Sequence, residues 1–219
     1  ESICVSENEV VLTFNEFVKL NNVASQLIIS PALEEQPEFR IKKKSIIISF
    51  PKPLAANTTY NFNFGDAIVD VNEGNPIKNF TYVISTGEYL DSLQLTGKVL
   101  NAYTGSPQKE QTAMLYADLG DSVPYQQKPR YLTKTNAEGN FTLKNLRSGA
   151  YKLLSINDIS KDFKFQANED VAFSDSTVTV GADSLNHELR SFVELPSKLM
   201  VVSKKLERQP RILAGLNRP

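Results

Sequence analysis

Tryptophan is absent from this 219-residue chain, and cysteine and histidine occur once each. A lone cysteine, Cys4, excludes an internal disulfide, which suits the cytosol and equally a disulfide-free envelope protein. Ahead of an apolar strand, Cys4 reads as a small buried hydrophobe rather than a reactive thiol. With His187 as the sole imidazole, soft His/Cys metal clusters are excluded within the chain. A Ser-His-Asp arrangement would have to use His187, and no nucleophile-elbow motif accompanies it; it reads as an ordinary surface histidine. Excess charge is missing too. The 24 Lys and Arg balance 25 Asp and Glu, so nothing marks a nucleic acid or an anionic membrane as partner. No run of 18 apolar residues offers a transmembrane span, and no GxGxxG or P-loop stretch is present. The chain opens at Glu1 without a basic-then-apolar leader, which fits a removed leader or an excised piece. These absences point away from an enzyme, and no cofactor is expected.

What is present is alternation. Val10, Leu12 and Phe14 fall on one face of a strand, as do Ile46, Ile48 and Phe50, then Tyr60, Phe62 and Phe64, then Phe80, Tyr82 and Ile84. Asn61 and Asn63 are predicted to face water. Ser30-Pro31, Pro51-Lys52-Pro53 and Asn72-Glu73-Gly74-Asn75-Pro76 separate these strands. Glu16 to Gln26 has room for a single helical turn. A second set follows: Leu93, Leu95, Gly97 and Val99; Ala113 and Leu115; Phe141 and Leu143; Tyr151 and Leu153; Val178 and Val180. Thr104-Gly105-Ser106-Pro107 and Asn136-Ala137-Glu138-Gly139-Asn140 supply turns. Short strands with regular turns imply an all-β chain of two tandem antiparallel β-sandwiches. The boundaries are 1–87 for the first, 88–92 for a linker and 93–185 for the second. Residues 186–219 hold terminal strands and a tail. Asp118 to Lys128 and Asn157 to Asp170 read as polar surface loops. In the tail, Leu189 to Val193 and Lys198 to Val202 suit strands. Basic residues (Lys204, Lys205, Arg208, Arg211, Arg218) then dominate, as though a further module opens there.

Residues 8–87 resemble the SbsA-type bacterial Ig-like domain. The likeness lies in VVLTFNEFV, the IISP step, SIIISFPKPLAANTTYNFNF and AIVDVNEGNPIKNFTYVISTG, with Asp70, Gly74-Asn75, Tyr82 and Ser85-Thr86 at the recurring positions. Residues 93–183 resemble the prealbumin-like sandwiches grouped as carboxypeptidase-regulatory-like or Cna-B-like domains. Here the likeness is carried by Gly97-Lys98-Val99, Thr104-Gly105-x-Pro107, Leu115-Tyr116, Thr135-Asn136-x-x-Gly139-x-Phe141 and Gly149-x-Tyr151. The pair implies an exported bacterial envelope protein, lipid-anchored through a segment not included here, in which such modules act as spacers or assembly pieces. Some Cna-B domains close an autocatalytic Lys–Asn cross-link. In this sequence the lysine slot holds Val99, Lys98 points to the other face, and the acid slot holds Ser155, so no cross-link is expected.

Few residues offer chemistry, and each has a plain structural reading. Asp158, Asp162, Glu169 and Asp170, with Asn157 and Asn168 beside them, gather hard oxygen ligands of the kind calcium takes. The EF-hand spacing is missing and Lys161 intervenes, so solvated loop acids are the simpler reading. Asp66, Asp70, Asn72 and Glu73 form a second acidic group, which the turn at Asn72-Glu73-Gly74-Asn75 explains better. Tyr103, Tyr125 and Tyr131 lie in or beside loops and could build a modest platform for a glycan; Phe62, Phe64 and Phe141 are expected in the core. Asp-Ser followed by an apolar residue or Thr occurs at Ser92, Ser122, Ser176 and Ser184, similar to an O-glycosylation sequon of some Gram-negative bacteria, although Asp and Ser also favour turns. Asn57, Asn79 and Asn140 head N-x-Thr triplets, idle in a bacterium. Lys42-Lys43-Lys44 reads as a solvated hairpin end that guards a strand edge. The expected function is a non-enzymatic spacer or protein-interaction scaffold with other envelope proteins as partners; the alternative is a module that captures surface polysaccharide.

Overall fold

The computed structural model describes residues 8–167, 169–181 and 186–194, together with the backbone of two later strands. Cys4, Asn168, Ser184, Arg208, Arg211, Arg218 and the first residues of the strand expected over Lys198–Val202 lie outside the described residues. The first half carries β1 (Glu9–Thr13), β2 (Val18–Leu20), α1 (Val23–Gln26), β3 (Ile28–Ser30), β4 (Glu38–Lys42), β5 (Ser45–Ser49), β6 (Thr59–Asn63), β7 (Ile68–Asp70) and β8 (Thr81–Ser85). The second carries β9 (Leu93–Asn101), β10 (Thr112–Tyr116), α2 (Val123–Gln126), β11 (Tyr131–Lys134), β12 (Asn140–Leu146), β13 (Gly149–Ile156), β14 (Asp170–Phe173), β15 (Val178–Val180) and β16 (His187–Val193). β17 (Val201–Leu206) and β18 (Ile212–Leu216) pair with each other.

The fold is all-β, in two tandem sandwiches. In the first, β1-β5-β4 faces β3-β6-β8, and β2 pairs with β7. The expected alternation is what makes the core. Val10 and Leu12 turn inward from β1, and Ile46 and Ile48 from β5, to meet Tyr60, Phe62, Phe64 and Ile84. Phe50 and Phe62 lie with ring centres 5.8 Å apart, a spacing typical of tilted aromatic pairs. The one turn expected between Glu16 and Gln26 is α1. Lys42, Lys43 and Lys44 are exposed at the β4–β5 hairpin, as expected. β4 itself was not foreseen. It buries no side chain fully, so it carries no alternation to read; half-buried Phe39 alone reaches the core, edge-on to Phe64.

In the second sandwich the strands run in the order β11-β10-β13-β14-β16-β9-β12, with β15 beside the start of β13. Leu95, Val99, Leu115, Phe141, Leu143, Tyr151, Leu153, Val178, Val180 and Leu189 fill its core. The pairing is antiparallel with one correction: β16 runs parallel to β9, from His187 opposite Gly97 to Ser191 opposite Asn101. At Gly97 the two neighbouring strands come so close that a Cβ would lie 2.4 Å from the His187 carbonyl oxygen. A buried polar chain crosses this end of the sandwich. Ser155 donates to Gln111 Oε1 (3.1 Å) and Gln111 Nε2 donates to Ser191 Oγ (2.9 Å), so each group has the partner that burial demands.

The two loops expected to be polar surface are folded down instead. The first contains α2, with Val123 and Pro124 buried. The second buries Phe165, whose N–H donates to the Pro124 carbonyl at 2.9 Å and whose ring lies 5.0 Å from that of Tyr125. Both cover the outer face of β10, β13 and β14, where Met114, Tyr116, Leu154, Ile156 and Val171 form a second apolar layer. Asp170 opens β14 rather than ending a loop.

Tyr131 and Tyr151 meet edge-on in the core at 5.8 Å. Burial pushes the Tyr151 phenol up to about 12, and burial pushes Tyr116 up as well. A folded value above the unfolded one, about 10, means that their stability contribution is complete below the unfolded value. It is lost as pH rises through the folded value. Ultraviolet titration is therefore expected to show a late tyrosine component that ionises only as β-sheet circular dichroism disappears. Full ionisation within the ordinary tyrosine range, with dichroism intact, would overturn this.

Candidate functional site

The junction between the sandwiches is joined by packed apolar side chains and by hydrogen bonds. β11 and β12 are the two ends of the second sandwich's strand order, and they lie against β3 and β6 of the first. Ile28 and Ala32 pack on the layer formed by Met114, Leu132 and Ile156. The Leu132 N–H, on the open edge of β11, donates to Ser30 Oγ at 3.2 Å; capping an edge in this way blocks unwanted strand pairing. Asn61 Nδ2 donates to Asn145 Oδ1 (2.9 Å), and Asn145 Nδ2 donates to the Asp91 carbonyl (3.0 Å). Asn61 thus faces the other sandwich rather than water, correcting the expectation. The Arg147 guanidinium donates to the Asn57 carbonyl and sits 3.6 Å from the Asp91 carboxylate. Lys128 Nζ reaches the carbonyls of Leu33 (2.9 Å) and Glu34 (3.2 Å). The expected linker over 88–92 is itself fastened, since the Asp91 N–H donates to Thr59 Oγ1 at 2.8 Å.

Beside a small one of about 110 Å³ between Leu33 and Phe163, two larger clefts open at this junction. One, of about 650 Å³, lies between residues 31–35 and 50–55 of the first sandwich and residues 127–130 of the second. The Arg130 guanidinium in its wall stands 5.8 Å from the ring centre of Tyr131. The other, of about 370 Å³, is lined by the asparagines and threonines of β6, β8, β11 and β12 over a floor of Ile28 and Leu132.

The residues singled out from sequence are scattered. Asp158, Asp162 and Glu169 turn their oxygens onto their own loop. Asp158 accepts from the Phe163 N–H (3.0 Å) and Asp162 from the Lys164 N–H (2.9 Å). Glu169, buried, accepts from the N–H groups of Ile159 (3.0 Å) and Gln166 (3.1 Å). Among the described residues no three His, Cys, Asp or Glu side chains gather as a metal site would require. Asp70 accepts from the Glu73 N–H at 2.6 Å, the turn role expected of it. That bond holds its carboxyl below the usual range, while the neighbouring Asp70 carboxyl holds Glu16 above it.

Ser92, Ser122 and Ser176 are exposed. Asp121 and Ser176 share the rim of a further groove, of about 620 Å³, with Tyr125, Phe173 and Phe192. The tyrosine platform is not assembled. Tyr103 is 78% exposed and Tyr125 50%, but Tyr131 is 2% exposed and packs against Tyr151 in the core. Phe62, Phe64 and Phe141 are buried as expected. In the slots relevant to a cross-link, Val99 is fully buried and Ser155 is bonded to Gln111. His187, expected at the surface, is half-buried at the start of β16.

A family model described as a bacterial Ig-like domain matches residues 2–86. No curated protein matches the chain. Among solved structures, the chain is similar to BcpA, the major pilin subunit of Bacillus cereus, at 9% identity and a TM-score of 0.29, over 84% of this chain and 58% of that one. It is also similar to the pilus 2b backbone protein of group B streptococcus, at 12% identity and a TM-score of 0.29, over 86% of each chain. The pilus adhesin RrgA of Streptococcus pneumoniae is a third, at 12% identity and a TM-score of 0.27, over 88% of this chain and 33% of that one. The chain thus spans little more than half the length of BcpA. No helix among the described residues is long and apolar enough to cross a membrane. An all-β chain whose first sandwich matches bacterial Ig-like domains fits a structural or interaction module.

Proposed function

We propose that this chain is a non-enzymatic spacer and protein-interaction scaffold of an exported bacterial envelope protein. In this reading residues 1–87 form an SbsA-type Ig-like module and residues 93–185 a carboxypeptidase-regulatory-like or Cna-B-like one. Residues 88–92 join them, and the partners are other envelope proteins. The observation that supports it is the junction: an apolar layer, a capped strand edge and side chains bonded across it hold the sandwiches in one relative orientation. A spacer needs that stiffness, because freely jointed domains do not fix a distance.

The test places spin labels at cysteines substituted for exposed Lys42 and Lys109, with Cys4 replaced by serine. One narrow distance distribution is expected, and a broad one would overturn the stiff-spacer reading. Co-purification of the full-length protein from its native envelope, followed by mass spectrometry, tests the scaffold role. A stoichiometric protein partner is expected. Recovery of polysaccharide with no protein would instead make glycan capture the function.

A further inference from the structure

We infer that the 370 Å³ junction cleft is a binding site for an oligosaccharide, recognised by asparagine and threonine side chains through the sugar's hydroxyl groups. The pleat that builds the cores also builds this surface. On β12, Phe141 and Leu143 turn inward while Asn140, Thr142 and Lys144 turn out; on β6, Phe62 turns inward while Asn61 and Asn63 turn the other way. Packing β12 against β6 brings these polar rows together as the walls of one cleft.

Part of the hydrogen-bonding capacity there is committed, since Ser30 Oγ accepts from Leu132, Thr81 donates to the Asn79 carbonyl and Asn136 Oδ1 accepts from Glu138 and Asn140, and part is open. Asn61 is spent on the junction, and Asn63 Oδ1 accepts from the Gly65 N–H at 2.9 Å, which leaves the Asn63 amide hydrogens free. The side chains of Asn140, Thr142 and Thr133 make no hydrogen bond with another described residue. An amide and a hydroxyl each donate and accept, as a sugar hydroxyl does. No carboxylate lines the cleft, which argues against a hard cation. The positive charge present is too small for a nucleic-acid backbone. Lys134 is held by Glu110 at 3.3 Å, whereas Lys144 has no carboxylate partner among the described residues and would favour an acidic sugar. Half-buried Ile28 adds an apolar surface to the cleft for the sugar's C–H faces. The volume of about 370 Å³ is within the range of small-ligand sites, and the fixed junction holds the walls in place before the ligand arrives.

The site rests on the fixed junction of the spacer reading but not on its partners: a broad spin-label distribution would overturn both, whereas a narrow one without sugar binding would overturn the site alone. The chain is tested on an array of neutral and uronate-bearing oligosaccharides, and the strongest binder is then titrated while the side-chain amide signals of the asparagines are followed by NMR. Binding that shifts the Asn63 and Asn140 amides is expected. Asn140→Ala with Thr142→Val should weaken it about tenfold or more, the worth of one or two lost hydrogen bonds, with the thermal midpoint unchanged because both sites are exposed. Lys144→Ala should reduce any preference for uronates. No binding on the array would overturn the inference. So would binding that the double variant leaves intact, or shifts confined to Tyr125 and its groove.

Discussion

Replacing Gly97 by alanine is expected to destabilise the second sandwich by about 3 kcal/mol or more, the upper end of overpacking costs. The backbone torsions are not the reason, because Gly97 is not in the left-handed region; the reason is space. Gly97 lies in β9 between Phe141 of β12 and His187 of β16. An added Cβ would stand 2.4 Å from the His187 carbonyl oxygen and 2.5 Å from Phe141 Cζ. The ring could tilt, but the carbonyl belongs to a ladder that cannot yield without losing its pairing. Gly74→Ala supplies the contrast. There φ is +76° and nothing lies within 4 Å of the added atom, so only the torsional cost of about 1–2 kcal/mol applies. Denaturant unfolding of both variants gives the comparison; a Gly97→Ala midpoint as mild as that of Gly74→Ala would refute the steric account.

Ile28→Asp is expected to split one cooperative unfolding transition into two. Ile28 is among the side chains by which the first sandwich covers Met114, Leu132 and Ile156. A carboxylate there must either be desolvated without a partner or hold the two bodies apart, at a cost of about 2–4 kcal/mol. The two cores would remain intact, so each sandwich should still fold, but neither would report on the other. Calorimetry should show two components, and the Lys42–Lys109 label distances should broaden. A single transition at the wild-type midpoint would mean that the junction contributes little coupling.

The cores were legible in the sequence because burial there obeys a period of two. Val10 and Leu12, Ile46 and Ile48, Phe141 and Leu143 are all where alternation placed them. The junction was not legible. Ser30, Asn61, Leu132, Asn145 and Arg147 look like ordinary strand and turn residues, and nothing local says that Asn61 and Asn145, 84 positions apart, will share a hydrogen bond. The folded-down loops escaped for a related reason. Val123 and Phe165 lie in mainly polar stretches, and the few other apolar residues there, Leu119, Tyr125, Ile159 and Phe163, build no sustained period. Tyr131 read as a loop-side platform residue because β11 is short; its burial depends on Tyr151, which another strand supplies. The polar cleft was half visible, as alternating asparagines beside Phe62 and a threonine beside Phe141. Its second wall comes only with the packing of one sandwich on the other.

The parallel pairing of β9 and β16 bears on how the chain would carry force. Tension along the polypeptide enters the second sandwich at Leu93 and leaves it at Val193. Because these strands are neighbours running the same way, the pull drives them past each other along their length. The load falls on the evenly spaced bonds of a parallel ladder together, in shear, rather than opening them one at a time like a zipper. The tight crossing at Gly97 lies inside this loaded ladder, so a part of the fold that has no room for an extra atom is also the part that would resist extension.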